Sequence, residues 1–344
     1  LKVRWQALLK EQPKLRIRDA AHVLGVGEAQ LLATDCTGRV TRLEGDWTQL
    51  IMEFPRLGRV MCLTRNEHAV HERYGAFRQI EFFSGMGQVV GPDIDLRLFM
   101  REWRLGFAVT DFTPEGERVS FQFFDATGEA NHKVYLQDPV NRDAFEELVR
   151  RFRSPVQDPW QNVEKRPEAA SELPDAEIDI PGFQRAWREL KDTHAFFTIL
   201  QRFRVAREQA LRLAPEGYAR KVETKSTHRM LESAASEKTP IMVFIGNRGC
   251  LQIHTGLVRN IKMFGTEWLN VLDDEFSMHL RESAVRAAWI VRKPTTDGDV
   301  TSLELFDGYG NTLVIFFGKR KPGSSETEAW RKLISDLEAE QRSA

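Results

Sequence analysis

The sequence is poor in the features that place a protein at once. Its three cysteines, Cys36, Cys62 and Cys250, are widely spaced and form no CxxC pair. It therefore offers neither a disulfide framework nor a thiolate zinc site, and an odd number of scattered thiols suits a reducing cytoplasm. The longest apolar runs, such as IMVFIG at Ile241 to Gly246, fall far short of the roughly 20 residues a membrane-spanning helix needs. Neither charge is in excess, with 49 Lys and Arg against 50 Asp and Glu in 344 residues. That balance supplies no overall drive toward nucleic acid or an anionic membrane. The opening stretch LKVRWQALLK lacks the apolar core and small-residue cleavage site of a secretory signal. Phosphate loops are missing too: GMGQVVG at Gly85 to Gly91 matches neither GxxxxGK[ST] nor GxGxxG, and no GxSxG elbow occurs. What remains, 42% hydrophobic and 29% charged, is the composition of a globular protein with room for two cores. The expected location is the cytoplasm, with no membrane insertion and no nucleic-acid partner.

What the sequence does have is itself, twice. VMCLTRNEHAVHERYGAFRQIEFF (Val60 to Phe83) lies over IMVFIGNRGCLQIHTGLVRNIKMF (Ile241 to Phe264), pairing Asn66 with Asn247, Gly75 with Gly256 and Phe83 with Phe264 at an offset of 181. VSFQFFDATGEANHKVYL (Val119 to Leu136) lies over TSLELFDGYGNTLVIFFG (Thr301 to Gly318) at 182, the spacing that also separates Trp5 from Trp187. One register held across three blocks indicates duplication. Each copy opens on amphipathic helices: VRWQALLKEQ and IRDAAHVLGVGEAQLLAT in the first, GFQRAWRELKDTHAFFTILQRF and AREQALRLA in the second. Alternating strands with Gly-containing turns follow, and a last helix closes each copy, RDAFEELVRRF or ETEAWRKLISDLEAE. The class is α+β, with antiparallel sheets. The expected organisation is a first repeat over 1–153, a proline-rich acidic linker over 154–181 and a second repeat over 182–344.

The duplication serves as an internal control, because residues that the fold requires should stand in both copies. His194, in WRELKDTHAFFTIL, falls at about 100° per residue on the line of Trp187, Leu190 and Phe197, which predicts an imidazole on the apolar stripe of one continuous helix. Its counterpart in the first copy is Gln12 or Lys14, so the helical unit is built once without it. HAVH at His68 to His71 has metal-like spacing but not the HExxH pattern, and strand periodicity puts the two rings on opposite faces. His132 and His254 lie in strand-like segments and read as surface or half-buried residues.

The duplicated plan, LKDTHAFF, GNRGCLQIHTG, DLRLF, WIVRKPTTDG and SLELFDGYG together resemble the HemS, ChuS and HmuS family of bacterial cytoplasmic haemin-binding and haemin-degrading proteins, over essentially the whole chain. The resemblance implies two homologous halves, each with a large antiparallel sheet and a helical unit, and a haem cleft between halves. It makes His194 the axial ligand of the haem iron, with Phe196 and Phe197 offering surface to the porphyrin. Arg97, in DLRLF, matches the distal arginine that stabilises negative charge on an iron-bound oxygen species, and Phe99 packs beside it. The counterpart of Arg97 in the second copy is His279. Arg207, Lys293 and Arg320 match cations that receive the propionates. Where the family pattern calls for a tyrosine, Phe317 stands, so that hydrogen bond is lost or passes to Tyr309.

The resemblance implies haem as cofactor, an external electron donor if the ring is opened, and an inner-membrane haem importer or a haem oxygenase as partner. It leaves two functions open. One is oxygenase-like haem degradation with iron release at His194 and Arg97; the other is a carrier that passes haem to a separate oxygenase. A third reading is an interaction module with a vestigial cleft.

Overall fold

Two Gly-containing turns show how the repeat becomes structure. In the first copy Asp125 accepts backbone N–H bonds from Thr127 and Glu129, and Gly128 follows at φ 82°. In the second, Asp307 accepts from Tyr309 and Asn311, and Gly310 stands at φ 76°. A short carboxylate that folds back on the chain and a residue free to take positive φ close a tight hairpin. A register shift precedes each turn at matched places, Phe123/Phe124 and Leu305/Phe306.

The structure is a computed structural model that describes every residue except 37, 115, 167–171, 321, 322 and 344, and no side chain over 340–343. Part of the expected linker, Pro167 included, therefore lies outside the described residues. The described strands make two antiparallel sheets of nine. The chain divides into two compact units, each holding one copy of the repeat and a short segment of the other: Leu1–Arg65, His71–Glu168 and Gly246–Gln252 in the first, Asn66–Val70, Ala169–Ile245 and Ile253–Ala344 in the second.

The first copy contributes helices α1 (Lys2–Glu11), α2 (Ile17–Leu24), α3 (Glu28–Ala33), α4 (Trp47–Met52) and α5 (Arg142–Phe152). Its strands are β1 (Val40–Leu43), β2 (Val60–Arg65), β3 (Ala69–Gly75), β4 (Ile80–Phe83), β5 (Met86–Val89), β6 (Leu96–Phe99), β7 (Leu105–Thr113), β8 (Gly116–Phe124) and β9 (Ala130–Leu136). Within the first unit they run β1-β7-β8-β9-β2, with β4-β5-β6 as a second set. Residues Cys250–Gln252 pair onto β6, and Asn247 donates to the carbonyls of Arg65 and Asn131 at 2.8 and 2.9 Å. His132 is buried here, not half-exposed as its strand position suggests. Its Nδ1 lies 2.8 Å from Thr64 Oγ1 and 3.7 Å from Cys250 Sγ, and burial pulls the imidazole down to about 3.

The second copy contributes α6 (Ile180–Arg188), α7 (Ala195–Phe203), α8 (Arg207–Arg212), α9 (Ser226–Ser236) and α10 (Glu328–Ser343). Its strands are β10 (Ala219–Val222), β11 (Ile241–Gly246), β12 (Cys250–Gly256), β13 (Ile261–Phe264), β14 (Trp268–Leu272), β15 (Phe276–Arg281), β16 (Ala287–Lys293), β17 (Val300–Phe306) and β18 (Thr312–Gly318). In the second unit β10-β16-β17-β18-β11 form one set and β13-β14-β15 another. Asn66 donates to the Leu313 carbonyl at 2.8 Å, so the paired asparagines of the repeat play parallel parts in their two units. Both faces of β16 and β17 are covered. Ile290, Leu303 and Leu305 pack with Leu231 of α9 and with Trp330 and Leu333 of α10, while Trp289, Val291 and Phe306 pack with α6, α7 and α8. This double coverage explains strands that are buried almost throughout. His254 is buried as well, stacked on Phe276 at 3.8 Å between ring centres.

Four helical expectations change. IRDAAHVLGVGEAQLLAT is two helices, because Gly25 turns left-handed at φ 67° and its N–H closes α2 on Ala21 and His22. WTQLIM and STHRMLESAAS are helices the periodicity did not single out. GFQRAWRELKDTHAFFTILQRF is also two helices: α6 stops at Arg188, and Leu190 through His194 form a loop. Trp187, fully buried and bonded through Nε1 to the Arg292 carbonyl at 3.1 Å, anchors α6 on β16 just ahead of that loop. Trp187→Ala is expected to cost about 3–5 kcal/mol by opening a cavity, read as a lowered midpoint of urea unfolding. A change under about 0.5 kcal/mol would show that the indole is not the anchor.

Candidate functional site

The break between α6 and α7 overturns the expected position of His194. The residue sits at the N-cap of α7, and its side chain is 89% exposed rather than lying on an apolar stripe. The chain bends because Asp192 captures it: Oδ1 accepts the His194 backbone N–H at 2.9 Å and lies 2.8 Å from His194 Nδ1. An aspartate that bonds the backbone two residues on favours a turn over continued helix. The hydrogen bonds from His194, backbone first and ring second, hold the Asp192 carboxyl below its ordinary value, and the charge of Arg320 adds to them. With Nδ1 engaged, the Nε2 lone pair is the one left to a metal. The loop is pinned from the other side by the Thr296 N–H, which donates to the Lys191 carbonyl at 3.2 Å.

Phe196 does not offer its ring to a ligand. It is buried against Trp187 at 4.5 Å between ring centres. Instead it is a floor for two cations: the Arg207 guanidinium lies 5.1 Å and the Lys293 ammonium 5.0 Å from its ring centre. Phe197, one residue on, points outward and is 63% exposed.

Arg207 and Lys293 converge on Glu304, a residue the sequence reading passed over. The Glu304 side chain is 0% exposed. Arg207 grips it with Nε at 3.0 Å and Nη2 at 2.8 Å, Lys293 Nζ donates at 2.9 Å, and the Ser302 hydroxyl donates at 2.9 Å. Burial alone would push the Glu304 carboxyl up, but the two cations outweigh it and bring it down to about 2. Burial, helped by Arg207, brings the Lys293 ammonium down to about 8 against the pull of Glu304. At neutral pH the triad therefore carries two positive charges and one negative. A signal existed in the sequence: the partner of Glu304 in the first copy is Gln122, so this charge, like His194, belongs to one copy alone.

The strand register extends that face of the sheet. Glu304 pairs with Ile315 and Ile315 with Phe244, while Ser302 pairs with Phe317 and Phe317 with Met242. Met242, Phe244, Ile315 and Phe317 are all half-buried, and the Phe244 and Phe317 rings meet edge-on at 5.1 Å. Helices α6 to α8 cover β16 and β17, and the apolar residues of β18 and β11 continue beyond them, partly open. Arg320, just past β18, lies 3.9 Å from Asp297. Tyr309 projects from the β17–β18 turn and is 87% exposed.

Arg97 and Phe99 belong to the first unit. Arg97 stands mid-β6, opposite Gln88 on one side and Leu251 on the other. It is half-buried and bonded to Asp95 and to the Leu96 carbonyl. Burial pushes the Asp95 carboxyl up, with Arg97 opposing. The Phe99 N–H donates to the Gly249 carbonyl at 3.0 Å. Among the described residues no group of three or more His, Cys, Asp or Glu side chains is placed to hold a metal ion. An exposed imidazole, a partly open apolar sheet face and a cationic triad thus lie within the second unit.

The chain matches the haemin-degrading HemS.ChuX domain twice, over residues 25–152 and 204–337. It belongs to the HemS/ChuX family. The two matches follow the duplication, and the fold is the family's, with two antiparallel sheets, helices and duplicated halves. The haem-binding protein PhuS of Pseudomonas aeruginosa, in its holo crystal structure, is similar at 44% identity and TM-score 0.93, over 96% of each chain. The haem-degrading enzyme ChuS of Escherichia coli O157:H7 is similar at 37% identity and TM-score 0.90, over 98% of each chain. The hemin transport protein HmuS of Yersinia pestis is 37% identical, over 95% of this chain and 94% of that one.

Proposed function

We propose that this family member binds haem through His194 Nε2 and holds it for oxygenase-like ring opening with release of iron. The observation that carries the reading is His194 itself: absent from the first copy, exposed at a helix N-cap, and held by Asp192 with Nε2 directed away from its own hydrogen bond. Bound haem supplies the redox chemistry, and the chain's residues bind, orient and surround it. Phe197, Phe317 and the half-buried apolar face suit the porphyrin. Arg207 and Arg320 suit the propionates, with Lys293 behind Arg207 sustaining the positive charge. Tyr309 is exposed enough to donate to a carboxylate. The DLRLF match alone supports Arg97 as the distal residue, with Phe99 beside it. Ring opening needs electrons from a separate donor. A cytoplasmic setting, with an inner-membrane importer delivering haem, completes the reading. No described helix is long and apolar enough to cross a membrane.

A second reading, a carrier that hands haem to a separate oxygenase, is favoured by the exposure of His194, since an open ligand suits transfer. One experiment separates the two. The haemin complex is given a reductase system with catalase present, and the Soret band, products and iron are followed. Degradation predicts loss of the band with a linear tetrapyrrole and free iron, while stable haem over many reductant equivalents favours the carrier.

A further inference from the structure

The amide bond from His194 to Asp192 shapes the turn, but the ring contact between the two side chains is too exposed to add much to the fold. Side chains 89% and 65% open to water gain little from an ion pair or hydrogen bond, yet one oxygen, Asp192 Oδ1, is engaged by both the His194 amide at 2.9 Å and the ring nitrogen at 2.8 Å. The backbone amide can only donate and an ionised carboxylate can only accept, so the proton between Oδ1 and the ring resides on Nδ1. The loop carrying the pair is itself held. The Ala195 N–H donates to the Asp192 carbonyl at 3.1 Å, Thr296 holds Lys191, and Leu190 is buried beside Trp187. A ring set in one tautomer and one orientation before any ligand arrives is preorganised.

We propose that Asp192 is a positioning residue for iron ligation: its carboxylate fixes His194 as the Nδ1–H tautomer and, once haem covers the pair, strengthens donation from Nε2 to the iron. The inference rests on His194 being the axial ligand. Covering the pair removes water, and a charge-assisted hydrogen bond that is weak in solvent becomes strong. A ring that leans on a carboxylate gains electron density, which stabilises the oxidised metal.

The test uses the full chain with haemin, comparing wild type with Asp192→Asn and Asp192→Ala. Asparagine can still accept from Nδ1 but carries no charge, whereas alanine removes the partner. Resonance Raman of the dithionite-reduced complexes and potentiometric titration give the readouts. The iron–histidine stretch is expected to fall in frequency and the midpoint potential to rise in both variants, with haemin affinity roughly tenfold weaker in Asp192→Ala. An iron–histidine stretch and a potential unchanged across all three proteins overturn the proposal while leaving His194 as ligand. A wild-type complex without that stretch overturns the ligand assignment and this proposal with it.

Discussion

His194→Ala is expected to remove the histidine-ligated spectrum of bound haemin and to weaken binding by roughly a hundredfold or more, about 2.7 kcal/mol. Loss of a residue that merely supports a metal ligand already costs 10–100-fold in typical sites, and here the ligand itself is lost. The fold should be untouched, because the side chain is exposed and its contact with Asp192 lies in solvent. The unfolding midpoint should move by less than about 0.5 kcal/mol. Titration with haemin, followed by the Soret band, is the measurement. An unchanged band and affinity rule out His194 as ligand.

Glu304→Ala is expected to have the opposite profile, a large loss of stability of about 3–5 kcal/mol. Removing the carboxylate leaves the Lys293 ammonium buried without its counter-ion and with the Arg207 guanidinium over the same Phe196 ring. Replacing Lys293 and Glu304 together, as Lys293→Met with Glu304→Leu, should recover much of that loss, since an apolar pair desolvates at little cost. A double variant as unstable as Glu304→Ala would show that the penalty is not one of unpaired charge.

The triad also sets a pH window. The folded carboxyl lies near 2, below its ordinary 4.5, so the unfolded chain takes up the proton first on acidification. The stability contributed by Glu304 is present above about 4.5 and is lost as pH falls toward 2. Lys293 has the reverse sign. Its folded ammonium lies near 8, below the ordinary 10.5, so burying the charge is a penalty below about 8 that lifts as pH rises toward 10.5. In Glu304→Ala the acid slope between 4.5 and 2 should flatten; an unaltered slope would assign it to other carboxylates.

Legibility differed between the two kinds of feature. The paired turns at Asp125 and Asp307 could be read because turn formation is local: a carboxylate, a glycine and their spacing suffice. The environment of His194 could not. Helical periodicity assumes an unbroken helix, and a local side-chain bond from Asp192 broke it, carrying His194 from the apolar stripe into solvent. The burial of His132 and His254 escaped notice because strand alternation does not say which layers will cover a sheet. Glu304 hides in a strand that is buried throughout, and Arg207, 97 residues away, and Lys293, with the Ser302 hydroxyl, make its burial tolerable.

By itself the sequence determined the duplication, the α+β class, the antiparallel strands and the residues that only one copy carries, since these depend on patterns repeated along the chain. Tertiary structure decided what those residues became. It exposed His194 and seated it on Asp192, buried Phe196 as a floor for cations, and tied Arg207 and Lys293 to a carboxylate whose ionisation survives burial. The physical reason is that charge, tautomer and exposure are set by neighbours brought together in space, and spacing along the chain does not record them.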